Sequence, residues 1–201
     1  MRSAWYNRKR YTRRRLSHVS GGKGRSIWLG YDRLREEKVS LMRMKVSDYI
    51  AQKLVDEGIT DAFMVTGGGA MHLDDGLGHQ PGLHCYFNHH EQACAIAAEA
   101  YARIHNKIAA LCVTTGPGGT NAITGVVGGW LDSIPMLVLS GQVRYDTTAH
   151  STGLGIRAMG DQEFEITKAI DCMTKYSEMV LDPMRIRFCL EKALYLAQTG
   201  R

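Results

Sequence analysis

Several features that mark whole classes of protein are missing from this sequence. Its 5 cysteines are widely spaced, odd in number and never arranged as CxxC. This pattern argues against a disulfide framework and favours buried thiols in a reducing compartment. No run of about 18 apolar residues occurs, so we expect no membrane span and no membrane partner. The N-terminus also lacks the apolar stretch of a secretory signal, and the expected location is therefore cytoplasmic.

Charge is distributed unevenly along the chain. Residues 1–45 hold 14 of the 25 Lys and Arg residues but only 3 of the 20 acidic ones, a net charge of +11. The remaining residues carry a net charge of −6. The overall charge of +5 therefore belongs to the N-terminal segment, and it is weak support for nucleic-acid binding by the protein as a whole.

The basic segment at residues 1–43 has three interpretations. It could be a nucleic-acid-binding arm, or an Arg-rich transit peptide that would direct the protein to an organelle. It could also be an extension upstream of a translation start at Met42 or Met44, which we favour because the globular pattern begins abruptly there. In each case we expect this segment to be disordered or not native, and the folded domain to cover residues 44–201.

The body alternates between short apolar strands and helical periodicity. A first helix is expected from Val46 to Leu54, with Ser47 as a cap and Gly58 as the stop. Strands are expected near residues 62–65, 83–87, 108–114, 136–139 and 176–180. Further helices are expected near residues 70–77, 90–104, 120–131, 163–170 and 183–197. This order predicts an α/β fold with a doubly wound, mainly parallel sheet and helices on both faces.

Binding sites in such sheets lie at the carboxyl ends of the strands. Two glycine-rich turns fall there, Gly67-Gly68-Gly69 and the segment 116–121. The first does not match GxGxxG, because position 72 is His, and neither turn matches a phosphate loop. Each is also compatible with plain turn chemistry, so neither alone predicts a nucleotide.

Glu91 stands at a third strand end, in the first turn of an otherwise apolar helix. The helix dipole and free amide donors stabilise a carboxylate there, but an ordinary first-turn acid would occupy the same place. The string that begins at His90 also starts like an HExxH zinc motif. Because Cys94 replaces the second histidine, a metal site is not predicted.

Together these segments resemble the N-terminal pyrimidine-binding (PYR) domain of thiamine-diphosphate-dependent enzymes, especially the large subunits of acetolactate synthases. The matching segments occur in order and at family-like spacing over about residues 44–201. They are Gly67–Gly69, His90-Glu91-Gln92, Ala98–Arg103, Thr115–Asn121, Asp132–Met136, Ser140–Val143 and the pair Gln162-Glu163.

The resemblance implies a role for each matching residue. Glu91 would be catalytic, hydrogen-bonding N1′ of the cofactor aminopyrimidine and favouring the tautomer whose 4′-nitrogen takes the C2 proton. The cofactor pocket would be formed by Gly67, Gly68, Gly69, Glu91, Thr115, Gly116, Pro117, Gly118 and Asn121. Gln162 would line the substrate side. Asn121 could instead cap its helix, and Gln142 is a further candidate polar group near the site.

The resemblance also implies components outside this sequence. Relatives bind the diphosphate and Mg²⁺ in a C-terminal domain through Gly-Asp-Gly, and no Gly-Asp-Gly occurs here. FAD, where present, is held by a middle domain. We therefore expect a fragment of a longer enzyme that is inactive alone. Its partners would be a diphosphate-binding domain, in cis or in another chain, and a second copy of the PYR domain in a homodimer or tetramer.

Three functions remain open from the sequence. The first is an acetolactate-synthase-like enzyme of branched-chain amino acid biosynthesis that decarboxylates a 2-oxo acid such as pyruvate and ligates the product to a second carbonyl compound. The second is a 2-oxo acid decarboxylase. It stays open because Asp161 stands where acetolactate synthases usually have Phe, which replaces an apolar substrate contact by a charge. The third is a nucleic-acid-binding protein that uses the basic segment.

Overall fold

A sheet of four parallel strands lies at the centre of this computed structural model, which describes residues 43–200. The strands are β1 (Asp61–Met64), β2 (His84–Phe87), β3 (Ala109–Val113) and β4 (Met136–Ser140), in the order β2-β1-β3-β4. Every residue of the central strand β3 is buried, as its continuous apolar run predicts. The predictions for the basic segment at residues 1–42 lie outside the described residues.

Helices cover both faces of the sheet. The first face is covered by α1 (Val46–Asp56), α2 (Met71–Gly78) and α7 (Ile186–Gln198), and the second by α3 (Glu91–His105) and α4 (Pro117–Leu131). Because side chains alternate along a strand, Met64 joins the core of the first face and Phe63 that of the second. The predicted doubly wound α/β fold is confirmed.

Shorter elements occupy the region between β4 and α7. They are α5 (Ala149–Thr152), α6 (Ile166–Ala169) and the 3₁₀ turns Tyr145–Thr147, Asp171–Met173 and Pro183–Arg185. The helix predicted over residues 163–170 is therefore shorter than expected. Residues 142–162, for which no helix or strand is predicted, contain two short helical turns. None of the helices within residues 43–200 is both long and apolar enough to cross a membrane.

One predicted helix cap and one predicted helix start are wrong. Helix α1 is capped by Lys45, and Ser47 lies buried inside the first turn, because Val46 is already helical and packs against the core. Helix α4 begins at Pro117 rather than near residue 120, because proline fits the first helical position and Gly116 precedes it as the N-cap. The predicted stop at Gly58 is confirmed by its φ of +80° and its N–H bond to the Val55 carbonyl.

The strand predicted over residues 176–180 is also wrong. The segment pairs with no strand, although it and the edge strand β4 both line an apolar cavity of about 680 Å³. Its polar side chains bind locally instead. The Tyr176 hydroxyl donates to Glu178 (2.5 Å), and Glu178 pairs with Arg185 just before α7 (2.6 Å).

The cysteines are all free thiols. Cys94, Cys112 and Cys189 are buried as predicted, whereas Cys85 is half-buried and Cys172 is exposed. Burial in the sheet raises the pKa of the Cys112 thiol far above its usual range, so this group stays protonated. A structural role follows for Cys112 rather than a nucleophilic one.

Helices α3 and α4 approach closely because α4 is rich in glycine. A Cβ atom at Gly125 would lie 2.5 Å from the Cβ of Ala95 and 2.8 Å from the backbone nitrogen of Ile96. Gly128, three residues further along the same helix, has open space around it. This contact determines how closely the helices that carry Glu91 and Asn121 approach one another.

We expect Gly125→Ala to destabilise the chain by about 2 kcal/mol, because the added methyl forces the two helices apart. The matched control Gly128→Ala should stabilise it by roughly 0.5–1 kcal/mol, because alanine is the better helix former and meets nothing. Urea unfolding of both variants measures the difference. Equal effects would contradict the close approach of α3 and α4.

Candidate functional site

Three of the predicted site segments meet between β1 and β3. The chain leaves β1 toward β2 on one side and leaves β3 toward β4 on the other, so this position is the switch point of the sheet. Ligands of open α/β sheets bind in this crevice. The turn after β1 contains Gly67–Gly69, the turn after β3 contains Thr114–Gly116, and Glu91 follows β2.

The turn after β1 packs against the turn after β3 with no room for side chains. A Cβ at Gly67 would lie 2.5 Å from the Cβ of Thr114, and one at Gly69 would lie 2.8 Å from Cγ2 of Thr115. The Gly69 N–H donates to Oγ1 of Thr114 (3.1 Å). Gly68 has open space around it and is exposed. Two of the three predicted glycines are therefore required by this contact, and the third is not.

Asp74 in helix α2 hydrogen-bonds to the turn after β1. Its Oδ2 accepts the N–H of Gly67 (3.2 Å), and its Oδ1 lies 3.9 Å from the Cys112 sulfur. Partial burial raises the pKa of Asp74, and the Gly67 hydrogen bond partly offsets that rise. Asp74 was not predicted as a site residue, because a first-turn acid in a short helix is an ordinary feature.

Glu91 is the first residue of α3 and is 9% exposed. The preceding His90 caps the helix, its ring nitrogen accepting the N–H of Gln92 (3.1 Å). The carboxylate crosses to helix α4, where Asn121 donates to Oε2 (3.1 Å). Asn121 lies in the second turn of α4, so the alternative role as a helix cap is wrong.

The second carboxylate oxygen of Glu91 has no hydrogen-bond donor among residues 43–200. This Oε1 lies 3.5 Å from the position that a Cβ of Gly118 would occupy. A side chain at Gly118 would also come within 2.7 Å of the Thr114 Cγ2. The glycine therefore lets the Thr114 side chain pack close to Glu91, whose Oε1 can still accept a hydrogen bond.

The turn at Thr115–Gly116 connects the site to a distant loop. Buried Thr115 donates to Oε1 of Gln142 (2.5 Å), and Gln142 in turn donates to the carbonyl of Phe164 (2.9 Å). Gly116 has a φ of +56°, and the Gln162 carbonyl oxygen lies 2.3 Å from its Cβ position. Gln142 thus acts as a hydrogen-bonding bridge, consistent with its prediction as a further polar group.

The structure brings most of the predicted site residues together. Gly67, Gly69, Glu91, Thr115, Gly116, Gly118 and Asn121 are linked by the contacts above. Gln162 joins through its backbone carbonyl rather than its side chain, which is exposed. Pro117 is exposed and opens α4. No cluster of three or more metal-ligating side chains occurs within residues 43–200.

The fold and the site define a class of protein, an α/β cofactor-binding domain with its site at the switch point of a parallel sheet. The particular family follows from comparison with known proteins. Residues 44–168 match the family described as "Thiamine pyrophosphate enzyme, N-terminal TPP binding domain". The chain belongs to this family, and the resemblance inferred from its motifs is confirmed.

Three curated relatives of the chain are named as acetolactate synthases. The acetolactate synthase large subunit of Haemophilus influenzae is 34% identical over 161 residues, which cover 80% of this chain and 27% of that protein. The corresponding protein of Lactococcus lactis is 32% identical over 158 residues, covering 77% and 26%. The chloroplastic acetolactate synthase 2 of Zea mays is 32% identical over 160 residues, covering 78% and 23%. The chain thus spans about a quarter of the length of these relatives.

Proposed function

We propose that this chain binds the aminopyrimidine half of thiamine diphosphate in an acetolactate-synthase-like enzyme. That enzyme would decarboxylate a 2-oxo acid such as pyruvate and join the product to a second carbonyl compound. The observation that supports the proposal most directly is the buried residue Glu91, whose carboxylate has one oxygen bound by Asn121 and the other, beside Gly118, without a donor among residues 43–200. The names of the curated relatives support the same reaction class.

The residues fit this half of the cofactor. An aminopyrimidine ring is flat and carries a nitrogen, N1′, that a carboxyl group can protonate or hydrogen-bond. A flat ring needs backbone within van der Waals reach, which exposed Gly68 allows because nothing lies near its Cβ position. Gly67, Gly69 and Gly118 lack a Cβ, and this lets the surrounding turns pack against Thr114 and Thr115. Glu91 would hold the proton at N1′, and Asn121 would fix the orientation of its carboxylate.

When bound, thiamine diphosphate supplies the electron sink for cleaving the bond beside a 2-oxo group. The task of this chain is to hold the ring and to exchange one proton with it through Glu91. A group that exchanges protons in this way contributes roughly 10²–10⁴-fold to a rate. Gln162 and the neighbouring Asp161 would lie on the substrate side.

The other partners belong to the same proposal. Mg²⁺ and the diphosphate would be bound by a further domain, in cis or in a partner chain, and FAD, if used, by a middle domain. A homodimer or tetramer through this domain is supported by large apolar side chains that α3 and α4 leave exposed. These are Ile96 (47%), Ile104 (78%), Trp130 (42%) and Leu131 (72%). A patch of this kind is typical of a protein interface.

Titration of the 201-residue chain with thiamine, followed by NMR, tests the proposed site. At millimolar ligand we expect amide shifts in the turns that contain Gly67, Glu91 and Gly118, and far smaller shifts in α7. Glu91→Gln should weaken these shifts, whereas Glu99→Gln in the same helix should not, since Glu99 pairs with Arg103. Shifts that are absent or centred elsewhere would contradict the proposal.

The two enzymatic alternatives differ in their product. An enzyme that contains this domain, supplied with pyruvate, should form a branched hydroxy-oxo acid if it ligates two molecules. A decarboxylase would release the aldehyde instead. Product analysis therefore separates the two, and the aldehyde alone would overturn the acetolactate-synthase-like assignment while leaving the cofactor site intact.

A further inference from the structure

One carboxylate closes the loop between β4 and α6. Both oxygens of Glu163 accept the N–H of Ala149 (2.8 and 2.9 Å), which is the first residue of α5. Oε2 also accepts the N–H groups of Met159 (2.9 Å) and Gly160 (3.1 Å). Three backbone donors from both ends of the loop 149–160 thus converge on one side chain.

The residues on either side of Glu163 contact the turn at Thr115–Gly116, directly or through Gln142. The Gln162 carbonyl oxygen abuts Gly116 and lies 3.4 Å from Oγ1 of Thr115, whose proton is donated to Gln142. The Phe164 carbonyl accepts from Gln142 (2.9 Å), whose own Oε1 is bound by Thr115. Residues 162–164, here called the strap, therefore connect the loop 149–160 to the turn at Thr115–Gly116.

The strap has a conformation that needs support. Gln162 has a φ of +57°, a region that residues with a Cβ rarely adopt. Holding it there costs on the order of 1 kcal/mol or more, so neighbouring contacts must compensate. Glu163 and Gln142 provide such contacts on the two following residues.

The groups that stabilise the Glu163 carboxylate are backbone N–H groups. The N–H groups of Met159, Ala149, Gly160 and His150 lower the pKa of Glu163. Charged side chains of the flanking segments pair among themselves, Arg144 with Asp146 and Glu165 with Lys168 (2.9 Å). His150, Arg157 and Asp161 are the other titratable or charged groups of this loop, and all three are exposed.

We propose that Glu163 is a positioning residue, which holds the strap so that the Gln162 carbonyl supports the turn at Thr115–Gly116. The importance of that turn for catalysis rests on the proposed function. The contact between the strap and the turn does not depend on the proposed function. Replacing the carboxylate by an amide removes the charge and presents an N–H₂ group to N–H donors, so both the loop and the turn should loosen.

Hydrogen exchange of the full chain without ligand tests this link. In Glu163→Gln we expect the amides of Ala149, Met159 and Gly160 to exchange about tenfold faster or more, because charge-assisted hydrogen bonds are lost. The amide of Gly118, which donates to the Thr115 carbonyl, should exchange faster as well. Amides of β3 should be unchanged. Glu165→Gln, two residues away, is the matched control and should alter none of them.

A pH series gives a readout that simple loss of packing would not produce. The lowered pKa means that the Glu163 contribution is present above the ordinary carboxyl pKa and disappears as pH falls through the folded value. Wild-type protection at Gly118, corrected for intrinsic exchange, should therefore fall in acid, and that of Glu163→Gln should not. Faster exchange confined to 149–160, or none at all, would overturn the proposal. The thiamine titration reports on the proposed function independently.

Discussion

Alanine at position 116 is expected to destabilise the chain by about 4 kcal/mol. Gly116 has a φ of +56° and a ψ of −115°, a conformation that costs an L residue roughly 1–3 kcal/mol. The added Cβ would also lie 2.3 Å from the Gln162 carbonyl oxygen, and relieving this overlap costs about 1–3 kcal/mol more. The backbone at both positions must move, because neither atom belongs to a flexible side chain.

Gly153 supplies the matched control for this substitution. It also has a positive φ, +66°, but no atom lies within 4 Å of its Cβ position. Gly153→Ala should therefore cost only about 1 kcal/mol, the conformational part alone. Urea unfolding of the two variants measures the difference. Equal losses would show that the contact between Gly116 and the strap does not exist.

Glu91→Gln is expected to lower the rate of an enzyme containing this domain by about 10²–10⁴-fold. Glutamine keeps the shape of the side chain and can still accept the Asn121 hydrogen bond, but it cannot exchange a proton at N1′. The free energy of unfolding should change by no more than about 1 kcal/mol, because the amide remains hydrogen-bonded. Steady-state rates and urea unfolding of the same preparation separate these two effects.

Glu99→Gln is the control for this variant. Glu99 lies two turns further along α3 and pairs with Arg103. Its substitution removes one carboxylate from the same helix and should leave the rate within about twofold, because this carboxylate pairs with Arg103 and not with a residue of the site. A similar rate loss in both variants would indicate a general effect of charge on α3 rather than a role for Glu91.

The architecture of the site was predictable because its parts follow strand ends. Gly67, Glu91 and Gly116 each follow the last residue of a strand within four positions, and the carboxyl ends of parallel strands meet at one edge. The local sequence thus indicates both the elements and their meeting place.

The contacts that hold the site were not predictable from local patterns. Thr115 and the Gln162 carbonyl are 47 residues apart, and their meeting depends on the path of a loop with no periodicity. Glu163 binds three backbone amides, and amides leave no signal in the sequence. A capping role stayed open for Asn121 as an alternative because the start of α4 was predicted about three residues too late.

The segment 176–180 shows a different limit. Its apolar, β-branched and aromatic residues favour extended backbone, but pairing also requires an adjacent strand edge. Here Tyr176 bonds to Glu178, Glu178 pairs with Arg185, and Lys192 of α7 lies over the Tyr176 ring. The segment and β4 line the same cavity but do not pair as strands. Local propensity specifies the backbone conformation and not the partner.

Exchange of the thiazolium C2 proton of bound thiamine diphosphate for deuterium tests the central claim most directly. This exchange depends on proton transfer at the aminopyrimidine and not on substrate binding or product release. In an enzyme containing this domain, Glu91→Gln should slow it by about 10²-fold or more relative to the wild type and Glu99→Gln. Exchange at the wild-type rate in Glu91→Gln, with cofactor bound, would contradict the account.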